Sequence, residues 1–297
     1  MDGVLIIDKP VGPTSHDVVN RVRRIFKTRK VGHTGTLDPF ATGVMVVLIG
    51  KATRLARFAD RADKEYEATL RFGFATDTGD LTGTQIGEHG RSDISSQEIE
   101  GVLDRFRGKI MQVPPMYSAK KVDGKKLYEL ARRGEEIERP AIAITIHEIC
   151  LLSSSNEPSE LHRIRVRCSA GTYIRTLAED IAKALGTAAH LTELRRTASG
   201  RSSIEQSVTL DILADAAEPS KYLLPMEVLI EGLPRFVLSS DRVQKTLNGL
   251  SSRVYDASFA PDETVAMFSE NNELIAIGKF VAGENAIQPT LVLGDSK

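Results

Sequence analysis

The sequence predicts an α+β protein with a mixed, largely antiparallel central sheet and a small C-terminal β module. Segments with helical and with strand-like apolar spacing are mixed along the first 232 residues. From about Leu233 the sequence changes to short strand-like runs separated by turns. Hydrophobic residues make up 41% and charged residues 27% of the 297 residues, as is typical of a soluble globular protein.

The first predicted elements surround a loop rich in glycine and threonine. The apolar run Val4–Ile7 predicts a buried strand, which the following lysine, prolines and glycine end. Ser15 is the expected N-cap of a helix to about Lys27, because the apolar residues of this segment fall on one helical face. Gly32–Thr42 lacks apolar periodicity and is predicted to be a loop, whereas the apolar run Val44–Ile49 is predicted to be a strand.

The other elements before residue 233 follow from the same patterns. Glu65–Phe72 alternates between polar and apolar residues, as expected for a half-buried strand. Residues 75–95 have the composition of a loop. The other predicted strands are Ile142–Leu152 and Leu161–Cys168, and the other predicted helices are Ser96–Phe106, Thr172–Leu185 and Leu210–Ala216.

The C-terminal region reads as a separate β module. Its strand-like runs are Arg235–Leu238, Thr264–Phe268 and Leu274–Phe280, with turn residues between them. We therefore expect two domains, comprising residues 1–232 and 233–297.

Charge is segregated along the chain, although the total net charge is only −1. Residues 1–204 contain 32 basic and 26 acidic residues, whereas residues 205–297 contain 7 basic and 14 acidic residues. The basic first part is compatible with a nucleic-acid partner, which the near-neutral total conceals. Arg23 and Arg24 lie on the first predicted helix, where an ordinary solvated face and phosphate contacts are both open. If the helix contacts phosphates, Arg195, Arg196 and Arg201 are expected to extend this basic surface.

Cysteine use and the N-terminal segment predict a cytoplasmic protein. Cys150 and Cys168 form no CxxC pair and no cluster with zinc-ligand spacing, which favours a reducing compartment and no metal site. The opening MDGVLIIDKP has neither the charge pattern of a signal peptide nor the length of a membrane span.

The segment Gly32–Gly43 has the highest density of residues suited to chemistry. It combines glycines with His33, three threonines and Asp38 just before a predicted buried strand. It is neither a Walker A loop nor a GxGxxG motif. From composition alone, a phosphate cradle and a surface turn built around Asp38 are both open.

Four separated blocks, which span roughly residues 3–205, resemble the TruB family of tRNA pseudouridine-55 synthases. They are DGVLIIDKPVGPTSHDVV with GHTGTLDPFATGVM, then KEYEA, SAGTYIRTLAEDIA and AHLTELRRTASG. The resemblance implies a pseudouridine-synthase fold with a C-terminal β-barrel module of PUA-like type. It also implies isomerisation of uridine-55 in the T-loop of tRNA.

The resemblance implies three catalytic residues. Asp38 would be the nucleophile, and Arg175 its cationic partner that keeps it ionised. Tyr66 would stack on the flipped base and take the C5 proton. Base flipping costs a few kcal/mol and stacking on an aromatic ring supplies about 1–3 kcal/mol, so a pocket tyrosine suits the reaction. From the residues alone, core packing for Tyr66 and an exposed helix position for Arg175 remain open.

Further substrate-binding residues follow from the same resemblance. Tyr173 and Leu194 would line the base pocket, and His33 would fill the space that the flipped base leaves. Lys9 would support the loop that carries Asp38. The acidic side chains of residues 75–95, such as Asp80, would either support the site or contact the base edge.

Two alternative functions are open at this point: a subunit of a guide-RNA-dependent pseudouridine synthase, and a non-catalytic RNA-binding factor. The presence of Asp38, Tyr66 and Arg175 together disfavours the second. Attack by Asp38 on the sugar C1′ and on the uracil C6 are equally compatible with the residues. Because the isomerisation is redox-neutral, we expect no cofactor or metal, and we expect a monomer that acts on tRNA without an obligate protein partner or a membrane.

Overall fold

Two units account for the fold of the chain. The computed structural model describes residues 1–118, 120–122, 124–131, 133–135, 137–152, 157–255 and 258–294. The larger unit comprises Leu5–Leu48 and Asp60–Leu223. The smaller unit comprises Met1–Val4, Ile49–Ala59 and Leu224–Lys297.

The strands of the described residues lie mostly in two sheets. In chain order they are β1 (Gly3–Lys9), β2 (Val31–Thr34), β3 (Thr42–Ile49), β4 (Lys64–Phe72), β5 (Ala75–Thr76), β6 (Gln85–Ile86), β7 (Gly108–Gln112), β8 (Lys121–Val122), β9 (Lys125–Lys126), β10 (Ile142–Leu151), β11 (Leu161–Cys168), β12 (Ala189–Ser199), β13 (Ser202–Ser203), β14 (Val208–Thr209), β15 (Arg235–Leu238), β16 (Ser252–Arg253), β17 (Thr264–Ser269), β18 (Leu274–Val281) and β19 (Ala286–Val292).

The helices of the described residues are short. The α-helices are α1 (Ser15–Ile25), α2 (Ala56–Ala59), α3 (Ser96–Leu103), α4 (Leu127–Ala131), α5 (Ile174–Ala184), α6 (Leu210–Asp215) and α7 (Ser240–Leu247). The 3₁₀ turns are Gly50–Leu55, Asp104–Phe106, Ile204–Gln206, Pro219–Tyr222, Met226–Leu229 and Ala282–Glu284.

The cap of α1 lies one residue before the predicted one. Thr14 accepts a hydrogen bond from the backbone N–H of Asp17, whose carboxylate accepts one from the Thr14 backbone, so the two form a capping box. The hydroxyl of Ser15 is instead bonded to the backbone of Leu37. Ser95 likewise replaces the predicted Ser96 as the cap of α3.

A mixed sheet of ten strands forms the centre of the larger unit. Its main order is β14-β1-β3-β12-β4-β11-β10-β7, with β2 paired to β3 and β13 to β12. The pairs β1–β14 and β3–β12 are parallel, whereas β4 is antiparallel to both β12 and β11, and β10 is antiparallel to β11 and β7. The predicted mixed, largely antiparallel sheet is therefore confirmed.

The strand order brings three of the resembling blocks side by side. β12 lies between β3, which follows the Asp38 loop, and β4, which carries Tyr66. In the register, Arg196 of β12 is opposite Tyr66 of β4 and opposite Gly43 of β3. The site thus depends on a strand that only the resemblance had indicated, because the polar residues of β12 hide its apolar alternation.

Apolar side chains of the sheet and two helices form the core of the larger unit. α5 packs against β12 and β4, and α3 packs against β10. The buried residues at this layer include Leu70, Phe72, Ile164, Val166, Leu177 and Ile181. Full burial of each such side chain stabilises the fold by about 1.5–3 kcal/mol, which fixes the strands that carry the site.

The predicted loop before β3 contains a strand of its own. Val31–Thr34 forms β2, which pairs with β3, so only residues after Thr34 form the loop. Composition could not reveal this strand, because its four residues contain glycine and histidine and gain their partners only through β3.

The smaller unit contains the predicted C-terminal strands. A curled five-stranded sheet has the order β15-β17-β18-β19-β16, with β15 parallel to β17 and the other pairs antiparallel. Its buried residues include Leu238, Val265, Met267 and Ile287. The helix α7 and the strand β19 within this module are additions that the sequence patterns had not indicated.

Two further observations concern the cysteines and the helices. Both cysteines are free, and Cys168 is buried. No helix among the described residues has the length and apolar character needed to cross a membrane.

Candidate active site

The loop that carries Asp38 is held down by its own apolar residues and by Ser15. Leu37, Phe40 and Ala41 are buried in the core of the larger unit. The Ser15 hydroxyl donates to the carbonyl of Leu37 and accepts from its N–H, at 2.9 Å in both cases. These contacts fix Leu37 before Asp38 and Phe40 and Ala41 after it, and they leave the Asp38 carboxylate at the surface of a cavity.

Lys9 supports the same loop from below. Its ammonium donates to the carbonyl oxygens of Pro10, Pro39 and Ala41, at 3.0, 3.3 and 2.7 Å. The side chain is fully buried, and burial lowers the pKa of Lys9 to about 8. Lys9 therefore supports the loop backbone, as the resemblance implied, and it has no exposed surface with which to contact a substrate directly.

Arg175 joins three segments around the site. It lies in the first turn of α5, and its Nε is 3.1 Å from Oδ2 of Asp38. Its Nη1 donates to the carbonyl of Thr78 at 2.8 Å, and its Nη2 to the carbonyl of Tyr117 at 2.7 Å. Because every nitrogen of the guanidinium has a partner, the side chain is fixed in orientation, and the predicted pairing with Asp38 is present.

Asp80 is a second carboxylate on Arg175, with 3.7 Å between its Oδ2 and Nη1. It is buried, and its Oδ1 accepts hydrogen bonds from the hydroxyl of Thr78 and from the backbone and hydroxyl of Thr82. The acidic side chains of residues 75–95 were expected either to support the site or to contact the base edge. The contacts of Asp80 are those of a supporting residue. Spacing could not identify it, because Asp80 and Arg175 are far apart in the sequence.

The charges around Asp38 act on its protonation in opposite directions. Burial raises the pKa of the Asp38 carboxyl, and the Arg175 guanidinium opposes that rise. Smaller effects come from Asp80, which raises the pKa, and Lys9, which lowers it. The Asp38 side chain is 34% exposed, so it is still open to a molecule in the cavity.

A cavity of about 270 Å³ lies above Asp38. The predicted residues Tyr66, Tyr173, Arg175 and Leu194 all line it. Other lining groups include Gly35, Thr36, Asp60, Lys64, Ser118, Ser169, Thr172 and Arg196. The cavity therefore combines an aromatic wall, an apolar side chain and a paired carboxylate, which suits a flat polar ring.

Two of the lining tyrosines are held in different ways. The buried side chain of Tyr66 projects from β4, and burial raises the pKa of its phenol while the Arg196 charge opposes that rise. Tyr173 precedes α5, and both its backbone N–H and its carbonyl are bonded to the buried side chain of Gln112, at 2.8 and 3.0 Å. Tyr173 and Arg175 are thereby fixed at the same helix start.

His33 and the predicted phosphate-binding residues Arg23 and Arg24 of α1 lie outside the lining of this cavity. His33 is in β2, and its buried Nδ1 has no hydrogen-bond partner among the described residues. The guanidinium of Arg23 is held by neighbouring groups: it donates to the side-chain oxygen of Asn20 at 2.9 Å and to the carbonyl of Val31 at 3.1 Å. Arg24 is exposed and stays a candidate for phosphate contacts.

The expectation that Arg196 extends a basic surface is wrong. Arg196 is only 1% exposed, and its guanidinium lines the cavity. Its Nε donates to the carbonyl of Val44 at 2.6 Å. Local sequence does not distinguish this buried arginine from its neighbour Arg195, which is paired with Asp8 at 2.8 Å between Nη2 and Oδ2.

Comparisons with known proteins agree with this geometry. Residues 23–174 match the family described as TruB family pseudouridylate synthase, N-terminal domain. Residues 175–231 match the family described as tRNA pseudouridylate synthase B C-terminal domain. The first match includes Asp38 and Tyr66, and the second begins at Arg175.

Curated relatives match over nearly the whole chain. The chain is 41% identical to tRNA pseudouridine synthase B of Solibacter usitatus (strain Ellin6076), covering 99% of this chain and 100% of the relative. It is also 41% identical to tRNA pseudouridine synthase B of Bacillus subtilis (strain 168), covering 93% of this chain and 92% of the relative.

Solved structures share the fold. A chain in the structure of an H/ACA RNP bound to a substrate RNA containing 2'-deoxyuridine has a TM-score of 0.76 and 29% identity, covering 99% of this chain and 86% of that chain. A chain of a Cbf5-Nop10-Gar1 complex gives the same TM-score and identity, covering 85% of that chain. The expected pseudouridine-synthase fold is thereby confirmed. On the strength of these matches, the chain belongs to the TruB family of pseudouridylate synthases.

Proposed function

We propose that this chain converts uridine-55 in the T-loop of tRNA to pseudouridine, with Asp38 as the nucleophile. The observation that carries the proposal is the contact of 3.1 Å between Asp38 and Arg175 at the base of a cavity that Tyr66, Tyr173 and Leu194 also line. Membership of the TruB family supports the reaction type. The relatives that are named tRNA pseudouridine synthase B support tRNA as the substrate.

The base must first leave the RNA stack to enter the cavity. Flipping costs a few kcal/mol, and stacking on an aromatic ring returns about 1–3 kcal/mol. Tyr66 supplies that ring, and Leu194 supplies an apolar contact to the base. We propose that His33, in the strand before the loop, fills the space that the base leaves in the RNA.

Asp38 reacts as its carboxylate. Burial beside an uncharged base favours the protonated acid, and the Arg175 guanidinium counters this effect because it stabilises the negative charge. The hydrogen bonds of Arg175 to Thr78 and Tyr117 fix the guanidinium before the substrate arrives. The enzyme therefore does not need to reorganise this charge during the reaction.

The isomerisation exchanges one bond for another. The Asp38 carboxylate adds to the substrate, the C1′–N1 bond breaks, the base rotates while it is held in the cavity, the C1′–C5 bond forms and Asp38 is released. The hydrogen on C5 leaves as a proton, which the Tyr66 phenolate accepts, and the phenol loses that proton again while N1 takes up one. One C–N bond and one C–H bond are thus exchanged for one C–C bond and one N–H bond, so the product is an isomer of the substrate.

Guide-RNA-dependent catalysis is the second candidate, because the H/ACA complex structure shares the fold at 29% identity. The higher identity of 41% to the tRNA pseudouridine synthase B relatives favours the stand-alone reaction. The two candidates differ in one requirement. The stand-alone enzyme modifies tRNA without a guide RNA or added proteins.

The test is tritium release from a tRNA transcript that carries 5-tritiated uridine, with the purified chain alone. We expect release by the wild type and none by Asp38→Asn. Asp262→Asn is the matched control, because Asp262 is an exposed aspartate of the smaller unit, and it should release at the wild-type rate. Release must disappear when uridine-55 is changed to cytidine.

Each other outcome counts against the proposal. Persistent release from the cytidine transcript would exclude uridine-55 as the site. A folded wild type that binds tRNA without release would favour a non-catalytic RNA-binding factor, and release only with added guide RNA would favour the second candidate.

We further propose that the enzyme acts on tRNA as a cytoplasmic monomer, with catalysis in residues 1–232 and the PUA-like module in residues 233–297. The net negative charge of residues 205–297 supports most phosphate contacts being on the catalytic domain. Light scattering of the purified chain with and without tRNA tests the monomer. A dimer in either state would contradict it.

A further inference from the structure

Arg196 occupies a central place in the sheet of the candidate site. It is directly opposite Tyr66 in the antiparallel pair β12–β4 and opposite Gly43 in the parallel pair β12–β3. Residues opposite each other on adjacent strands project to the same face, so Arg196 and Tyr66 share the face that lines the cavity. Arg196 is thus next to both β3, which follows the Asp38 loop, and β4, which carries Tyr66.

The Arg196 guanidinium forms hydrogen bonds with both ends of the Asp38 loop region. Nε donates to the carbonyl of Val44 at 2.6 Å, and Nη2 donates to the carbonyl of Gly35 at 3.0 Å. Its charge also opposes the rise that burial imposes on the pKa of the Tyr66 phenol, which lines the same cavity. The start of the Asp38 loop and the strand after it are therefore tied to one rigid group that lines the cavity with Tyr66.

Two glycines make this close approach possible. A Cβ on Gly43 would lie 2.2 Å from the backbone oxygen of Arg196, and one on Gly35 would lie 3.2 Å from its Nη1. Both glycines also have a positive φ, +98° and +70°. The loop is therefore shaped around Arg196 at both of its ends.

We propose that Arg196 is a positioning residue of the pseudouridylation reaction, which holds the Tyr66 phenol and the Asp38 loop at a fixed separation and gives the phenol oxygen a cationic partner. The inference rests on the proposed function, since it gives a task to Tyr66. It adds a residue to the site that neither the sequence patterns nor the resemblance singled out for this role.

The chemistry of Tyr66 explains why a cation is needed there. A tyrosine accepts a proton as its phenolate, and burial disfavours that charged form. Burial raises the pKa of Tyr66, and the Arg196 charge opposes the rise. Without Arg196, the phenolate would be both less populated and free to move relative to Asp38.

The experiment compares Arg196→Met and Arg196→Lys with the wild type. Single-turnover tritium release should fall by about 100-fold in Arg196→Met, with the Kd for tRNA changed by less than about threefold. Arg196→Lys keeps the charge but not the fork, so we expect it to recover about a tenth of the lost rate. Arg165→Met, which removes an exposed arginine paired with Glu148 in the same sheet, should keep the wild-type rate.

A second readout reports on Tyr66 without catalysis. With 3,5-difluorotyrosine at position 66, a ¹⁹F NMR titration follows ionisation of that phenol directly. We expect the pKa to rise by about one unit or more in Arg196→Met relative to the wild type, with no change in Arg165→Met. Arg196→Lys should lie between them.

The outcomes separate the two proposals. An unchanged ¹⁹F titration and an unchanged rate in Arg196→Met would overturn the role of Arg196, even if the wild type is fully active. A wild type without tritium release would overturn the proposed function, and the titration would still decide whether Arg196 supports Tyr66. If Arg196→Met does not fold, the same comparison is decided on Arg196→Lys, where an unchanged rate and titration contradict the role.

Discussion

The guanidinium of Arg175 lies 3.1 Å from the carboxylate of Asp38 and, on its other side, 3.7 Å from the carboxylate of Asp80. One buried cation thus faces two acids, of which one is open to the cavity and the other is enclosed by hydrogen bonds. Removing the Arg175 cation or the Asp80 carboxylate moves the pKa of Asp38 in opposite directions. The sign of each change can be measured.

Arg175→Met should move the acid limb of the pH–rate profile to higher pH. Arg175 opposes the rise that burial imposes on the pKa of Asp38, so its loss lets the pKa rise further and less carboxylate is present at a given pH. We expect kcat/KM at neutral pH to fall by about 100-fold or more. Tritium release between about pH 5 and pH 9 measures the limb. An acid limb at the wild-type position would contradict the claim that the Arg175 charge lowers the pKa of Asp38.

Asp80→Asn should move the acid limb in the opposite direction. The Asp80 carboxylate raises the pKa of Asp38, so its neutral replacement lowers that pKa and the acid limb shifts to lower pH. The rate at neutral pH should fall by about tenfold, because Arg175 loses one of its restraints. Asp77→Asn is the matched control, since Asp77 is exposed and its carboxylate accepts a hydrogen bond from the N–H of Thr84, away from Arg175. A shift of equal size in both variants would exclude a specific role for Asp80.

Gly43→Ala should destabilise the larger unit more than Gly12→Ala does. Both glycines have a positive φ, +98° and +107°, so an added Cβ strains the backbone at each by about 1–3 kcal/mol. Only at Gly43 does the Cβ also meet an atom, the Arg196 backbone oxygen at 2.2 Å, whereas Gly12 has open space. Urea unfolding of the two variants isolates the steric effect. Equal losses of stability would mean that β3 and β12 can separate without cost.

Arg24→Ala should weaken tRNA binding and reduce the slope of log Kd against log salt by about one. Arg23→Ala should leave the slope unchanged and lower the thermal midpoint instead, because Arg23 is bonded to Asn20 and Val31. Fluorescence titrations at several salt concentrations and a thermal melt distinguish the two effects. A slope that is reduced in Arg23→Ala but not in Arg24→Ala would contradict this prediction, because it would place the phosphate contact on Arg23.

Patterning along the chain predicted those elements whose core residues are adjacent in sequence. The strand Glu65–Phe72 and the strand Leu161–Cys168 alternate clearly, and both lie within one residue of the observed bounds. β2 was not predicted, because its pairing with β3 is a tertiary property of a short polar segment. The cap of α1 was misplaced by one residue, because Thr14 and Ser15 are both good caps and only the contact of Ser15 with Leu37 separates them.

The residues of the candidate site also fall into two groups, those that the sequence indicated and those that depend on contacts between distant segments. The pairing of Asp38 with Arg175 was available from resemblance, since both residues lie in matching blocks. Asp80 and Arg196 act on this pair and on Tyr66 through contacts between distant segments, and nothing in their local sequence marks them. Arg196 differs from its neighbour Arg195 only in the face of β12 to which it projects, which the sheet order decides.

The Asp38 loop is anchored by Lys9 on one side and Arg196 on the other, through carbonyl oxygens that no substrate needs to contact. The entropy of ordering this loop is therefore lost when the protein folds, and none of it is lost on encounter with RNA. Under the proposed function, opening of the T-loop is then a cost that the nucleic acid bears, because this loop of the protein is already ordered. It follows that the affinity of the enzyme should track how easily a T-loop opens, so that a transcript with a weakened T-loop binds more tightly than a native one of the same sequence at uridine-55.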